Sequence, residues 1–320
     1  MLRLDEPLRF EPFLQPRVWG GARLPRLLGK AISTEPVGEA WLTSDHPVHR
    51  SVVADGWHQG RSLRELMERQ ADELVGDRKH ARFPWLVKLL DCHELLSVQV
   101  HPDRAAVARL VPGEGSKTEA WFVLDALPGA RVWAGLKAGV DEKTLRAAVA
   151  EKRVADCLHL FVPKAGDCVF LPAGTVHAVG GGVLMAEIQE TSDVTFRLYD
   201  WDRVDAQGRG RQLHLDEAIA SIHWNADPVT PITIGDVNRA VDRELVRCAA
   251  FVLDFRRTTK PAELTGGRLQ TLIVVAGDGT WADGRPLTVG QSWLLPAAMR
   301  AQTVTPGPSG SLAFLLARLP

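Results

Sequence analysis

The stretch LLSVQVHPD, residues 95–103, points to both the fold and a site in this chain. Side chains on a β-strand alternate between two faces, so Gln99 and His101 share one face while the valines flanking Gln99 share the other. Polar side chains buried on a strand need a partner, and a divalent metal ion can serve several ligands at once. The stretch therefore predicts a strand that carries metal ligands.

Two later runs add side chains of ligand type. SKTEAW, residues 116–121, places Glu119 at the start of an apolar strand, where an unpaired buried carboxylate would be costly. LPAGTVHAV, residues 171–179, brings in His177 after a Pro-Ala-Gly corner suited to holding a strand end rigidly. Two imidazoles, a carboxylate and an amide oxygen suit zinc or a similar divalent ion. Fewer than four firm ligands leave room for water or substrate, which is typical of a catalytic site.

Composition indicates a globular protein. The chain has 320 residues, of which 45% are hydrophobic, and a net charge of −1. This length corresponds to about two domains, and the charge gives no reason to expect nucleic acid or an anionic membrane as partner. Neither a transmembrane run nor the apolar core of a signal peptide is found, and the four cysteines lack paired C-x-x-C spacing. We expect reduced thiols and a cytoplasmic location.

Short strands dominate the predicted secondary structure. They are bounded by Gly, Pro and Asp, which favours an antiparallel sandwich or barrel, and the clearest are EAWLTS (39–44), FPWLVKLLD (83–91), EAWFVLDA (119–126) and CVFLPA (168–173). Three short helices are predicted, at residues 62–74, 141–150 and 216–222. Ser62 and Glu65 form a capping box for the first, and an aspartate opens each of the others. The expected fold class is all-β dominated with a few short helices.

An internal similarity predicts two β-sandwich units. GDCVFLPAGTVHA begins at Gly166 and GQSWLLPAAMRA begins at Gly290, and Ala301 stands at the offset of His177. Either two strands agree by coincidence, or a jelly-roll unit is duplicated and its second copy has lost the metal ligands. Residues 225–238, rich in Pro, Asp and Thr, are the expected passage between them. We therefore predict a metal-binding domain at residues 1–230 and a β domain without metal ligands at 231–320.

Familiar nucleotide and hydrolase motifs are not matched. PGEGSKT, residues 112–118, has a serine where a Walker A loop requires glycine before its lysine. The three glycines at 180–182 do not form G-x-G-x-x-G, and no G-x-S-x-G elbow occurs. The sequence gives no support for a nucleotide cofactor.

The motifs together resemble a known family. LSVQVHPD, GSKTEAWFVLDA, GDCVFLPAGTVHAVGGGVLMAEIQETSD and TFRLYDWDR look like signature segments of type I mannose-6-phosphate isomerase, a zinc-dependent cupin enzyme. RVWGG (17–21) and GEAWLTSDH (38–46) resemble its N-terminal segments, and the similarity spans about residues 8 to 205 in the family's order. The chain resembles the compact bacterial form, which lacks a helical insertion. The resemblance implies two cupin-like β-sandwich domains.

The resemblance also implies roles for individual residues. One zinc ion per chain would be bound at four positions, namely Gln99, His101, Glu119 and His177. The catalytic positions implied are an essential arginine, an active-site lysine and two acidic residues near the metal: Arg197, Lys117, Glu187 and Asp193. Ser97 corresponds to a serine implicated in phosphate binding, and Arg203 stands where longer members have a lysine near the phosphate. An arginine keeps that charge but binds phosphate as a fork rather than as a point charge.

The implied activity interconverts mannose 6-phosphate and fructose 6-phosphate through a cis-enediol. This reaction needs no nicotinamide, and its only expected partner is the small phosphosugar. The general base is left open among Glu187, Asp193 and a zinc-bound water. Two other classes remain: a cupin with different metal chemistry, such as a dioxygenase or an epimerase, and a non-catalytic sugar-binding cupin. The fourth ligand Gln99 and the cations Arg197 and Lys117 favour the phosphosugar.

Overall fold

The computed structural model describes residues 3–32, 34–77, 79–205, 207–234 and 240–320. Strands account for 41% of the residues and helices for 14%, and the strand pairs are antiparallel. The prediction of an all-β dominated fold with a few short helices is therefore confirmed. Within the described ranges, no helix has both the length and the apolar character needed to cross a membrane.

The elements follow one another along the chain as short strands with five helices interspersed in the described residues. The strands are β1 (Leu8–Arg9), β2 (Phe13–Gly21), β3 (Val37–Thr43), β4 (Asp45–His46), β5 (His49–Arg50), β6 (Trp85–Cys92), β7 (Val98–Val100), β8 (Glu119–Ala126), β9 (Arg131–Leu136), β10 (Leu158–Phe161), β11 (Asp167–Leu171), β12 (His177–Gly180), β13 (Val183–Glu190), β14 (Phe196–Tyr199), β15 (Ile232–Thr233), β16 (Val241–Arg247), β17 (Val252–Thr258), β18 (Ala262–Leu264), β19 (Gln270–Trp281), β20 (Pro286–Thr288), β21 (Ser292–Leu295), β22 (Gln302–Pro306) and β23 (Leu312–Arg318). The helices are α1 (Arg23–Leu27), α2 (Leu63–Leu74), α3 (Arg104–Leu110), α4 (Glu142–Ala150) and α5 (Leu215–Ser221), with a 3-10 turn at Val154–Cys157.

Three sheets form successive layers. A five-stranded sheet has the order β10-β9-β12-β7-β14, and a seven-stranded sheet has the order β15-β11-β8-β13-β6-β3-β2. A nine-stranded sheet contains the path β1-β21-β19-β23-β17-β16 together with β18, β20 and β22. The first two sheets enclose an apolar cluster that includes Leu90, Trp121 and Val179. This pair of facing sheets is the sandwich that contains the predicted ligand residues.

The seven-stranded sheet is buried on both faces, and β6 shows how. Val87 and Leu89 belong to the core shared with the C-terminal strands, while Leu90 belongs to the cluster facing the five-stranded sheet. On the C-terminal side, the ring of Phe122 stacks on that of Phe255 with centroids 5.5 Å apart. A strand buried on both sides reads as a nearly continuous apolar run, as residues 83–90 do apart from Lys88.

Two short strands pair with strands that lie far away in the sequence. The N-terminal strand β1 pairs with β21 of the nine-stranded sheet, and β15 pairs with β11 of the seven-stranded sheet. The predicted division into residues 1–230 and 231–320 stays a prediction. Part of the predicted passage at 225–238, namely residues 235–238, lies outside the described residues.

The predicted helices are found with small shifts. Ser62 accepts a hydrogen bond from the backbone N–H of Glu65 and completes the predicted capping box of α2, and Asp141 caps α4. Helix α5 begins one residue earlier than predicted, after His214, which makes no side-chain cap; Asp216 lies in its first turn instead. Helix α1 was not predicted, because five residues are too few to establish a period. Helix α3 was not predicted, because its N-cap, Asp103, lies in the stretch that was predicted as a strand.

The two similar segments adopt similar local structure. Gly166 and Gly290 both have positive φ, 89° and 90°, and each leads into a strand, β11 or β21. A corner follows in both copies, and then a new strand begins at His177 in one copy and just after Ala301 in the other. Glycine adopts this backbone region without the steric cost that other residues carry.

Candidate functional site

Side chains alternate between the two faces along β7, and this directs Gln99, and His101 just after the strand, into the interior of the sandwich. Val98 and Val100 are fully buried in the apolar cluster on the outer side of the five-stranded sheet. Gln99 therefore points to the inner side, and His101 follows directly after the strand with 2% exposure. The predicted alternation is confirmed, and its polar face looks toward the seven-stranded sheet.

His101, Glu119 and His177 converge on one point between the sheets. Each offers a ligand atom, and these atoms all lie within 4.8 Å of one another. Glu119 Oε2 is 3.6 Å from His101 Nε2, and Glu119 Oε1 is 3.4 Å from His177 Nε2. All three side chains are buried. Three strand ends from two sheets thus meet at the place where the sequence predicted a metal site.

Backbone carbonyls orient both imidazoles. His101 Nδ1 donates to the carbonyl of Val194 at 2.9 Å, and His177 Nδ1 donates to the carbonyl of Thr175 at 2.9 Å. Because a carbonyl can only accept, each ring carries its proton on Nδ1 and presents the lone pair of Nε2 to the centre. Burial, followed by the charge of Lys117, lowers the pKa of His101 well below 6.5. Burial lowers the pKa of His177 to about 4, so both rings are neutral as ligands must be.

Glu119 lacks the hydrogen bonds that a buried carboxylate needs. Neither of its oxygens accepts a hydrogen bond within the described part of the chain, although Lys117 Nζ lies 2.9 Å from Oε2. Gln99 completes the group, since its Nε2 lies 3.2 Å from His177 Nε2 and a half-turn of the amide brings its oxygen there. Two neutral imidazoles, an unsatisfied carboxylate and an amide fit a divalent cation such as zinc.

A cavity of about 440 Å³ lies beside this group. Gln99 and Lys117 form part of its wall, so it connects with the ligand group. Ser97, Gln99 and Arg197 line it from the five-stranded sheet and its approaches, whereas Glu39, Lys88 and Glu187 line it from the seven-stranded sheet. The cavity is therefore the interior of the sandwich at the end where polar residues replace the apolar core.

Charges on the seven-stranded wall are mutually neutralised. Lys88 Nζ lies 3.8 Å from Glu39 Oε2, and 3.6 Å from both Glu187 Oε1 and Asp193 Oδ1. Burial alone would lower the pKa of Lys88, but these carboxylates raise it above its ordinary value, so the ammonium stays charged. Burial alone would raise the pKa of Glu39, but Lys88 and Arg17 lower it to about 2.

The predicted acidic residues differ in environment. Glu187 is 3% exposed; its Oε2 accepts a hydrogen bond from Trp121 Nε1 at 3.0 Å, and its Oε1 accepts none in the described residues. Burial and the nearby charge of Glu119 raise the pKa of Glu187. The side chain of Asp193 is 40% exposed at the cavity wall. Glu187 is therefore a buried acidic group whose affinity for a proton is enhanced by its surroundings.

The opposite wall carries an arginine that has no carboxylate partner among the described residues. Arg197 Nη1 donates to the carbonyl of Gln212 at 2.8 Å, while its buried Nε has no hydrogen bond in the described structure. Burial and the positive charge of Arg211 lower the pKa of Arg197. Ser97, 4% exposed, also lines this wall.

Arg203 does not line this cavity. Its Nη1 donates to the carbonyl of Leu95 at 2.6 Å and its Nη2 contacts Asp200 at 2.5 Å, which turns the guanidinium into a separate cavity of about 330 Å³. The geometry therefore does not support the prediction that Arg203 contacts substrate in the cavity beside the ligand group. The other predicted residues are brought together there.

Four charged residues that line the cavity of about 440 Å³ were not among the predicted site residues: Arg17, Glu39, Lys88 and Arg211. Lys88 had a detectable signal, because it is the only charge inside the apolar run at residues 83–90 and a buried lysine requires partners. Nothing in the sequence distinguished Arg211, because it lies in a polar loop with several other arginines.

Comparison with known proteins is consistent with this geometry. Residues 8–118 match the family model described as phosphomannose isomerase type I, catalytic domain. The chain is 42% identical over 216 residues to a mannose-6-phosphate isomerase of Streptococcus mutans, covering 68% of this chain and 67% of that protein. It is 35% identical over 296 residues to a mannose-6-phosphate isomerase of Bacillus subtilis, covering 91% and 93%.

A solved structure extends the similarity to the whole fold. The crystal structure of a mannose 6-phosphate isomerase from Bacillus subtilis matches with a TM-score of 0.87 and 29% identity. The match covers 98% of this chain and 100% of that one. These findings confirm the resemblance inferred from the sequence motifs.

Proposed function

The chain belongs to the type I phosphomannose isomerase family, and from that premise we propose that it interconverts mannose 6-phosphate and fructose 6-phosphate. The observation that carries the proposal is the buried His101, Glu119 and His177 group, which adjoins a cavity of about 440 Å³. A cavity of this size suits a small polar molecule. Its cationic wall suits one that carries an anion.

We propose that His101, Glu119, His177 and Gln99 hold one zinc ion. The Glu119 carboxylate, which accepts no hydrogen bond in the described residues, and the two Nε2 lone pairs directed at the centre of the group support this assignment. When bound, zinc supplies Lewis-acid polarisation of a sugar hydroxyl or carbonyl oxygen. The protein's contribution is to hold the two imidazoles in place before the ion arrives, through the carbonyls of Val194 and Thr175.

Isomerisation moves a proton between C1 and C2 through a cis-enediol, without net oxidation or reduction. Of the two acidic candidates for the base, Glu187 has the more suitable environment. Its Oε1 is buried and accepts no hydrogen bond in the described residues, and burial raises its pKa, which makes the carboxylate a stronger base toward a proton on carbon. Trp121 fixes the orientation of the carboxylate through Oε2. Asp193 remains the alternative base, at the more exposed edge.

Arg197 and Lys117 are proposed to stabilise the negative charge that develops on the sugar oxygens. Lys117 is 5% exposed, and its Nζ lies beside the ligand group, 2.9 Å from Glu119 Oε2. Arg197 keeps its buried Nε free of described partners on the facing wall. Preorganised cations in a partly dry pocket act more strongly than the same groups in water.

The test combines a metal assay with the reaction in D₂O. Purified protein is expected to contain one divalent ion per chain and to convert mannose 6-phosphate to fructose 6-phosphate. An enediol path places solvent deuterium at C1 of the product, which ¹H NMR detects. Metal-loaded protein that leaves mannose 6-phosphate unchanged would refute the proposed function. Turnover without any deuterium uptake would instead retain the function and show that the proton leaving C2 returns to C1 without exchanging with solvent.

The variant Glu119→Gln sharpens this test, because it keeps the shape of the ligand and removes its charge. It should lose both the ion and the activity. Glu94→Gln is the matched control, since the Glu94 side chain is 66% exposed, and it should keep both. Equal metal content in the two variants would place the ion elsewhere.

A further inference from the structure

Arg211 lines the cavity with part of its guanidinium unused. Its Nε donates to Asp200 Oδ2 at 2.7 Å and its Nη2 donates to Asp200 Oδ1 at 2.5 Å. No hydrogen bond donated by its Nη1 is found in the described residues. A guanidinium held through two of its nitrogens has a fixed orientation, and its remaining donors are preorganised for another anion.

The neighbourhood of Arg211 has excess positive charge. Asp200 pairs with both Arg203 and Arg211, and Arg197 lies close enough to Arg211 for its pKa to be lowered by that charge. Within the described contacts, two guanidinium groups therefore share one carboxylate and that of Arg197 lies nearby, so these four side chains together carry a charge of +2. A phosphate monoester carries a charge of about −1.5 to −2 at neutral pH. One such group would offset the excess.

Ser97 supplies a neutral donor on the same wall. It is 4% exposed, and its hydroxyl makes no hydrogen bond within the described part of the chain. In the register of β7 and β14, Gln99 is opposite Arg197 and Val98 is opposite Tyr199, so Ser97 lies toward Asp200. Ser97 and Gln99 are two residues apart, about 6.6 Å along a strand. This length is comparable with that from C2 to the phosphorus of an extended hexose 6-phosphate.

We propose that Arg211, positioned by Asp200, binds the C6 phosphate of the substrate together with Ser97. The assignment rests on the proposed function, since it places C1 and C2 at the Gln99 end of the wall and the phosphate at the Ser97 end. Arg203 then serves as the second partner of Asp200, while its Nη1 donates to the carbonyl of Leu95. Arg211 thereby makes the site selective for phosphorylated sugars.

The test measures steady-state kinetics on mannose 6-phosphate and the binding of inorganic phosphate by calorimetry. In Arg211→Ala, both KM and the dissociation constant of phosphate should rise about 10- to 100-fold, as for loss of a hydrogen bond to a charged group. The value of kcat and the metal content should change little. Arg209→Ala, a control whose side chain is 74% exposed in the same loop, should match the wild type. Arg211→Lys keeps the charge without the two-nitrogen hold on Asp200 and should be intermediate.

Arg203→Ala is the rival variant. A larger loss of phosphate affinity in Arg203→Ala than in Arg211→Ala would overturn the proposal, as would an Arg211→Ala or Arg211→Lys variant that binds phosphate like the wild type. Asp200→Asn tests the positioning role: it should raise KM in the wild type but add little in the Arg211→Ala background. Additive effects would assign Asp200 a separate role and refute the positioning.

Failure of this inference can be told from failure of the proposed function. A wild-type protein that isomerises mannose 6-phosphate, with normal phosphate affinity in Arg211→Ala, would refute the inference alone. A wild-type protein that is inactive on mannose 6-phosphate but binds phosphate through Arg211 would refute the proposed activity and leave the anion site standing.

Discussion

Gln99 and Arg197 face each other directly across β7 and β14. The proposed amide ligand and the proposed catalytic cation therefore occupy one rung of the five-stranded sheet. His177 is the register partner of Gln99 on its other side, on β12. Three neighbouring strands thus fix the spacing between ligand and cation through backbone hydrogen bonds, so single side-chain changes should separate their roles without moving the others.

Removal of the metal should destabilise the protein as well as inactivate it. His101, Glu119 and His177 come from segments far apart in the chain, and an ion that binds only the folded state adds stability by mass action. Exhaustive chelation should lower the melting temperature measured by differential scanning fluorimetry, and added zinc should restore it. His93→Ala, whose ring is 56% exposed, should behave like the wild type. An unchanged melting temperature after verified metal removal would contradict the shared site.

Arg197→Ala should act on kcat more than on KM. The arginine is proposed to bind charge that exists only as the enediol forms, so kcat and kcat/KM should fall together. A loss on the order of 10² to 10³ in rate is expected for one such group. Steady-state kinetics with metal-loaded enzyme measures it. Ser97→Ala should instead raise KM with little change in kcat. A normal kcat with a raised KM in Arg197→Ala would make Arg197 another phosphate anchor.

Glu39 should make part of the stability depend on acidity. Its pKa is about 2 in the folded protein against an ordinary 4.5, so its contribution is complete above about pH 4.5 and is lost as the pH falls toward 2. Between those limits, the unfolding free energy of metal-free wild type should fall by up to about 3 kcal/mol more than that of Glu39→Gln. Urea titrations at several pH values measure the difference. Glu11→Gln, an exposed control, should follow the wild type; identical pH profiles for Glu39→Gln and wild type would disprove the contribution.

Gly174→Ala should damage the ligand group from outside it. Gly174 has φ of 89°, its N–H donates to the carbonyl of His101 at 2.8 Å, and an added Cβ would lie 2.5 Å from the ring of His223. Backbone strain of about 1–2 kcal/mol and overpacking of about 1–3 kcal/mol should both lower the unfolding free energy, and zinc affinity should fall.

Gly139→Ala is the matched control that separates the backbone strain from the overpacking. Gly139 has a similar φ of 81°, but an added Cβ there would meet nothing within 4 Å. It should show the strain alone, and Gly174→Ala combined with His223→Ala should recover part of the difference. Equal destabilisation in the two alanine variants would mean that contact with His223 is unimportant.

Local patterns were sufficient to predict much of the site. The alternation of β7 placed Gln99 and His101 on one face, and a carboxylate at the start of an apolar strand marked Glu119. Capping of α2 by Ser62 was likewise predictable, because it depends on a neighbour three residues away. Each of these features depends on residues close together in the chain.

Features that depend on long-range pairing were not predictable in this way. The partners of Lys88 follow from the position of β6 between β13 and β3, which no local pattern specifies. The orientation of Arg203 and Arg211 depends on how a loop folds back onto Asp200 and Leu95. Two arginines in one polar loop have the same sequence signal, so only the structure separates the one that enters the cavity.

The pairing of β1 with β21 has a consequence for how the protein is made. Leu8 is the register partner of Leu294, so β1 is synthesised long before the strand with which it pairs. Contacts between residues so far apart in sequence are slow to form, because the chain must close a long loop before they add stability. The nine-stranded sheet therefore cannot form until its strands after residue 240 have been synthesised. Until then, the apolar face of the seven-stranded sheet that carries Val87, Leu89 and Phe122 is uncovered, and it is the surface most in need of protection from aggregation.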